Sequence, residues 1–181
     1  TLVPSMFAED TGRPDRFLAF HFHDILLTDV VDVMPHPATS PASLALVQAF
    51  AERLGQTTIV LERENFGYVF NAMLGDLFKS ALTLAANKVA AVEDIDRAWM
   101  GVLQAPAGPF GIMDSVGLDT VWKISDYWAK ATGDAQLAAN AAFLKTRIDD
   151  GRLGIKSGAG FYTYPAPRFQ QPDFLKSEAR K

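Results

Sequence analysis

The chain has 181 residues, of which 49% are hydrophobic and 21% charged, with three histidines, no cysteine and a formal net charge of −4. That is enough for one domain, or a small domain with a piece of another, and the balance is that of a globular chain with a sizeable core. The missing cysteines exclude disulfides, thiolate chemistry and cysteine-ligated metals, and without a basic block a nucleic-acid partner is not expected.

Pro4 to Asp10 reads as a short helical turn, followed by a loop at "TGRPD", where Gly12 and Pro14 break regular structure. "FLAFHFH" (17–23) is aromatic and apolar between turn signals and reads as a buried strand. Alternation puts Ala19, His21 and His23 on one face and Phe20 and Phe22 on the other. "TDVVDVM" is a second strand, ended by "MPHPA", with His36 in a loop between two prolines. Ser40 is an N-cap with Pro41 at the first helical position. Leu44, Val47, Ala51 and Leu54 recur at helical spacing, and Gly55 stops the helix.

"TTIVLE" is a short strand. A long helix runs from about Tyr68 to Lys88, apolar nearly all round, which suits the centre of a bundle or an interface. "VEDIDRAWMGVL" is a helix with acids in its first turn. Gly108 and Pro109 then set a sharp turn, and Phe110 packs. "MDSVGLDTVWKISDYWAKATG" and "DAQLAANAAFLKTRIDDGRLG" form two helices, each ended by glycine. "GIKSGAGFYTYPAP" is a glycine-rich turn leading to a strand-like aromatic tail. Trp99, Trp122 and Trp128 are expected in the core. No apolar stretch reaches membrane-spanning length, and the opening has neither the basic nor the apolar region of a secretory leader. No cluster has metal-ligand spacing in the sequence.

Five segments together resemble the L-3-hydroxyacyl-CoA dehydrogenase family: "RFLAFHF" (16–22), "VVDV" (30–33), "FGYVFNAML" (66–74), "APAGPFGIMDSVGLDT" (105–120) and "KSGAGFYTY" (156–164). They occur in the family's order and at nearly its spacing. The opening is similar to a bacterial branch acting on short 3-hydroxyacyl-CoA esters. The resemblance implies a mostly α fold. Residues 1–37 would be the last strands of a truncated α/β Rossmann domain, and residues 38–181 a helical domain for substrate binding and dimerisation. It also implies NAD as cofactor, bound mainly by an N-terminal domain this sequence lacks: no strand-linked GxGxxG is present. The expected partners are an acyl-CoA substrate and a second copy of the chain, without membrane, in the cytoplasm.

By the same resemblance His21 is the catalytic acid/base, a role that suits a side chain with a pKa near neutrality. Asp32 takes the place of the glutamate that orients it. Asp32 is one carbon shorter than glutamate, and Asp29 is an alternative. Asn71 would hydrogen-bond the substrate carbonyl. Asp24 stands where the family often has asparagine; an ionised carboxylate cannot donate as an amide does. His23 occupies a position commonly apolar or aromatic in the family and reads as packing. Lys156 is near enough to the glycine turn to meet a CoA phosphate but reads more simply as solvated.

The expected activity is NAD-dependent interconversion of a 3-hydroxyacyl-CoA and a 3-oxoacyl-CoA, with residues 1–181 alone not turning over. Two alternatives stand beside it: a non-catalytic binding or dimerisation module, and a same-fold dehydrogenase of another hydroxy acid or a sugar acid.

Overall fold

The computed structural model describes residues 2–23 and 28–176. They divide into two units, Thr1–Gly75 and Asp76–Lys181.

The first unit is built on a three-stranded sheet. Strand β1 (Leu18–Phe22) runs antiparallel to β2 (Val30–Pro35), and β2 runs parallel to β3 (Thr57–Val60), in the order β1-β2-β3. Parallel neighbours need a crossover, and helix α1 (Pro41–Arg53) supplies it. Ser40 caps α1 as its sequence requires: the Oγ accepts from Ser43 N at 3.2 Å, and Pro41 needs no amide partner there. The central strand is the most buried, and Val31, Val33 and Met34 are fully buried.

Three features of this arrangement add detail to the sequence-based expectations. The opening turn is two short 3-10 turns, Pro4–Met6 and Glu9–Thr11, with a third at Pro14–Arg16. His36 lies in the loop after β2, as expected, and is buried there, with Nε2 2.9 Å from the Pro14 carbonyl oxygen. This compact unit runs to Gly75, with β3 hydrogen-bonded to β2 and α1 packed on both strands.

The second unit is helical. After the later turns of α2 (Phe70–Ala86) come α3 (Val92–Leu103), α4 (Pro109–Val116), α5 (Leu118–Thr132) and α6 (Ala135–Asp149). Helix α2 buries Phe78, Ala81, Leu82 and Ala85 but leaves Met73 and Leu84 exposed, so it is not covered all round. The single helix read across "MDSVGLDTV" is two, because Gly117 sits at φ 95°, a backbone conformation that ends α4. Asp134 caps α6 through Oδ1, which accepts from Gln136 N and Leu137 N. The tryptophans do not form the core: Trp99 and Trp122 are half-buried and Trp128 is exposed. That role falls to Phe110, Met113, Leu118, Leu144 and Phe174. Among the described residues no helix is long and apolar enough to cross a membrane.

Two buried carboxylates explain why the glycine motifs exist. Asp96 on α3 accepts from Phe110 N (2.8 Å) and Gly111 N (3.0 Å), in the first turn of α4, and from the Tyr162 hydroxyl (2.9 Å). A Cβ at Gly108 would lie 2.5 Å from Asp96 Cα, so α4 approaches α3 this closely only over a glycine. Asp114 on α4 accepts from Phe161 N (2.8 Å), Tyr162 N (2.9 Å) and the Tyr164 hydroxyl (3.0 Å). A Cβ at Gly160 would fall 1.9 Å from Asp114 Oδ1. The "GAGFYTY" segment is thus a looped strap tied to α4 by hydrogen bonds and not a strand; only the isolated bridges Gly154–Ala159 and Ala159–Thr163 pair it. Lys156 is ion-paired with Asp119.

Burial pushes the Asp96 carboxyl up to about 6, against the three hydrogen bonds that favour its charge. A folded-state value above the ordinary 3.8 means the native state holds the proton more tightly than the unfolded chain. The proton-linked part of its contribution to stability, separate from the hydrogen bonds it accepts, is therefore complete below pH 3.8 and is lost as pH rises through about 6. Its size is about 3 kcal/mol, since each tenfold difference in proton affinity between the two states is worth ~1.4 kcal/mol. Chemical denaturation of the unsubstituted protein and of Asp96→Asn, compared between pH 4 and pH 7, checks this. The difference between the two is expected to move against the unsubstituted protein with rising pH; a constant difference refutes it.

Candidate active site

The first unit gathers five side chains about β1: His21, His23, Asp32, Tyr68 and Asn71. Alternation puts His21 and His23 on one face, and the antiparallel register sets Asp32 of β2 directly across from His21. Tyr68 stacks flat on the His21 ring, with centroids 4.5 Å apart and planes within 4°. Tyr68 has a positive φ of 53°, and Asn65 holds that turn by donating from Nδ2 to the carbonyl oxygens of Phe66 (3.1 Å) and Tyr68 (2.9 Å). Helix α2 starts immediately afterwards, and its second residue, Asn71, brings Nδ2 to 3.2 Å from His21 Nε2. In that geometry the amide donates and the imidazole accepts, which leaves the ring proton on Nδ1.

Asp32 is fully buried, and its Oδ2 lies 3.0 Å from His23 Nε2. The approach is too oblique for a hydrogen bond, and neither oxygen of Asp32 has a hydrogen-bond donor among the described residues. His23 is flanked edge-on by His21 (4.9 Å between centroids) and by Phe70 (5.3 Å). Burial first, then the neighbouring His23, pull the His21 pKa below 6.5, while the Asp32 charge pushes it back up. The Tyr68 hydroxyl is raised above 10 by burial and by Asp32.

His21 and Asn71, picked out in the sequence, therefore meet within hydrogen-bond distance. Asp32 joins the same cluster, but its close contact is with His23; a direct Asp32–His21 hydrogen bond is not among the described contacts. The short aspartate leans along the diagonal of the strand pair instead of reaching straight across. Asp29 is exposed, and its backbone oxygen accepts from Thr57 N, so its place is at the mouth of the β2–β3 pair. Asp24 lies outside the described residues. Tyr68 carries no local signal of this role: nothing in "FGYVFNAML" marks it out except its position three before Asn71.

The fold adds a proximity that the linear sequence does not show. Residues 21, 23 and 32 have no metal-ligand spacing along the chain, yet each offers a ligand atom, and these atoms lie within 4.8 Å of one another. The antiparallel pairing of β1 with β2 creates a proximity that linear spacing hides.

Two family models match the chain. One describes the NAD-binding domain of 3-hydroxyacyl-CoA dehydrogenase and covers residues 1–65; the other describes the C-terminal domain of that enzyme and covers residues 67–164. The fatty acid oxidation complex subunit alpha of Shewanella baltica (strain OS185) is 36% identical over 167 residues, which is 92% of this chain and 23% of that protein. A 3-hydroxybutyryl-CoA dehydrogenase of Mycobacterium tuberculosis (strain H37Rv) is 32% identical over 164 residues, 90% of this chain and 57% of that protein. A solved structure of a diketoreductase, described as catalysing reactions of dicarbonyl compounds, superposes with a TM-score of 0.82 at 38% identity, covering 91% of this chain and 57% of that one. The chain thus spans less than two thirds of the length of each.

Proposed function

Since the chain belongs to the 3-hydroxyacyl-CoA dehydrogenase family, we propose that it supplies the proton-transfer and substrate-holding groups for interconverting a 3-hydroxyacyl-CoA and a 3-oxoacyl-CoA. The observation that carries this reading is the His21–Asn71 pair, an imidazole stacked on Tyr68 with its Nε2 lone pair held by an amide. Oxidation of a 3-hydroxyl removes a proton from oxygen and a hydride from carbon. NAD, when bound, supplies the hydride acceptor. A dinucleotide needs a glycine-rich strand-to-helix turn for its pyrophosphate. No GxGxxG follows a strand in this sequence, so no residue here is assigned to the pyrophosphate and no step is assigned through NAD.

His21 takes the hydroxyl proton at Nε2 in oxidation and returns it in reduction. Its neutral form, favoured by burial, has that lone pair available. The substrate hydroxyl replaces the Asn71 amide at Nε2, and the freed amide donates to a substrate oxygen. Asp32 sits within the cluster as the negative charge that favours the protonated imidazole. Tyr68 keeps the ring in plane. The test is NADH oxidation with acetoacetyl-CoA, in a polypeptide that carries these residues together with a dinucleotide-binding half. Turnover of acetoacetyl-CoA is expected there, and none from residues 1–181 alone. Failure with every 3-oxoacyl-CoA overturns the reading.

The 38% identity to a diketoreductase favours a second reading, reduction of a dicarbonyl compound without a CoA group. Parallel assays of acetoacetyl-CoA and a free β-diketo ester separate the two by kcat/KM.

Within the second unit, an apolar groove of ≈ 360 Å³ between α2 and α3 is lined by Leu77, Ala81, Leu84, Trp99, Val102 and Leu103, and Val102 is 82% exposed. A second copy of the chain is the occupant we propose, as such patches on soluble proteins mark interfaces. Val102→Glu is expected to shift the sedimentation profile from dimer to monomer. An unchanged profile, or a monomeric parent, counts against the dimer.

A further inference from the structure

The contact between Asp32 and His23 has no part in the proton transfer, and its chemistry is unusual. A fully buried carboxylate normally accepts hydrogen bonds on both oxygens, since an uncompensated buried charge is costly. Asp96 and Asp114 in the second unit each accept three. Asp32 accepts none among the described residues, though its Oδ2 is 3.0 Å from an imidazole nitrogen that is itself without a hydrogen bond there. Two acceptor-capable groups at that separation, aimed past each other, are what a shared cation would hold.

We infer that His21, His23 and Asp32 form a binding site for a late first-row divalent cation of the zinc type. Two imidazoles and one carboxylate are a borderline donor set that suits zinc better than magnesium or calcium, which prefer oxygen. Ligand atoms about 2.0–2.2 Å from a tetrahedral ion stand roughly 3.3 Å apart. The His23–Asp32 pair already has nearly this separation. The full set spans no more than 4.8 Å, so closure takes a side-chain adjustment of about 1–2 Å. His21 enters by turning from Asn71, and the ring stays backed by Tyr68. Three protein ligands leave the fourth position for water or a substrate oxygen.

The site rests on geometry and not on any activity. Its consequence for turnover rests on the reading of His21 given above. A cation held by His21 occupies the nitrogen that would move the proton, so zinc is an inhibitor of the dehydrogenase reaction.

Zinc sulfate titrated into the metal-free protein by calorimetry, at fixed pH, tests the site. One-to-one binding is expected, weakened about tenfold or more by His23→Phe and by Asp32→Asn. Circular dichroism establishes that both variants are folded. In the unsubstituted protein, zinc is expected to shift the ring resonances of His21 and His23 in NMR spectra and leave those of the hydrogen-bonded His36 in place. Absence of one-to-one binding in the millimolar range overturns the proposal. So does binding that both variants leave unchanged, or perturbation of His36 alone. Binding without inhibition of an active enzyme keeps the site and removes the blocking role. Binding to a protein with no dehydrogenase activity keeps the site and removes the functional reading.

Discussion

Alanine in place of Asp96 is expected to destabilise the helical unit by at least about 3 kcal/mol at neutral pH. The carboxylate accepts from two backbone amides that open α4 and from the Tyr162 hydroxyl, all in the buried interior. Helix N-terminal amides have no partner within their own helix, so removing the acceptor leaves them unpaired away from water. Phe110, Met113 and the 161–164 strap lose their anchor together, because Tyr162 bridges Asp96 and the segment tied to Asp114. For a unit of this size the loss corresponds to a fall in melting temperature of roughly 12 °C or more, at ~4–8 °C per kcal/mol. Gly108→Ala acts on the same contact from the other side, by forcing α4 off Asp96, and is expected to be at least as damaging. Thermal and urea denaturation of both variants are the checks. Midpoints within a few degrees of the parent would mean that α4 does not depend on this contact.

His21→Gln is expected to lower kcat for 3-oxoacyl-CoA reduction by about 10²–10⁴-fold in the active enzyme, the usual range for losing a positioned general acid. Glutamine preserves polarity and approximate reach but cannot exchange a proton near neutral pH. KM is expected to change far less, because the lost interaction belongs to the transition state. His23→Phe makes the informative comparison. It removes the nitrogen next to Asp32 and leaves the His21 Nε2–Asn71 contact in place, so kcat is expected to stay within about tenfold of the parent. Steady-state kinetics on the two variants decide which imidazole carries the reaction: a collapse in His23→Phe with activity retained in His21→Gln would exchange their roles.

Much of the local structure was legible because it rests on short-range chemistry. Ser40-Pro41 starts α1, and β-branched and aromatic runs form β1, β2 and β3, each for reasons contained within a few residues. Where local signals competed, the reading was less sound. The apolar periodicity across "MDSVGLDTV" continued through Gly117, yet the backbone turned there. "GFYTY" has strand-forming residues, but Asp114 takes the amides of Phe161 and Tyr162 that a ladder would have used. The tryptophans looked like core by type, and tertiary packing left Trp128 largely outside.

The sequence by itself determined the order of the elements, the family, and the presence of His21 and Asn71 as groups capable of proton transfer and carbonyl binding. Side-chain type and spacing carry that information directly. Only the tertiary structure decided who touches whom. Pairing β1 with β2 lets Asp32 choose between two imidazoles on one face, and it lies on His23. The turn at Asn65–Tyr68 and the start of α2 bring Tyr68 and Asn71 back across some fifty positions to His21. Such contacts depend on strand register and on differences of about one carbon in side-chain length, and neither is encoded by residue type at any single position.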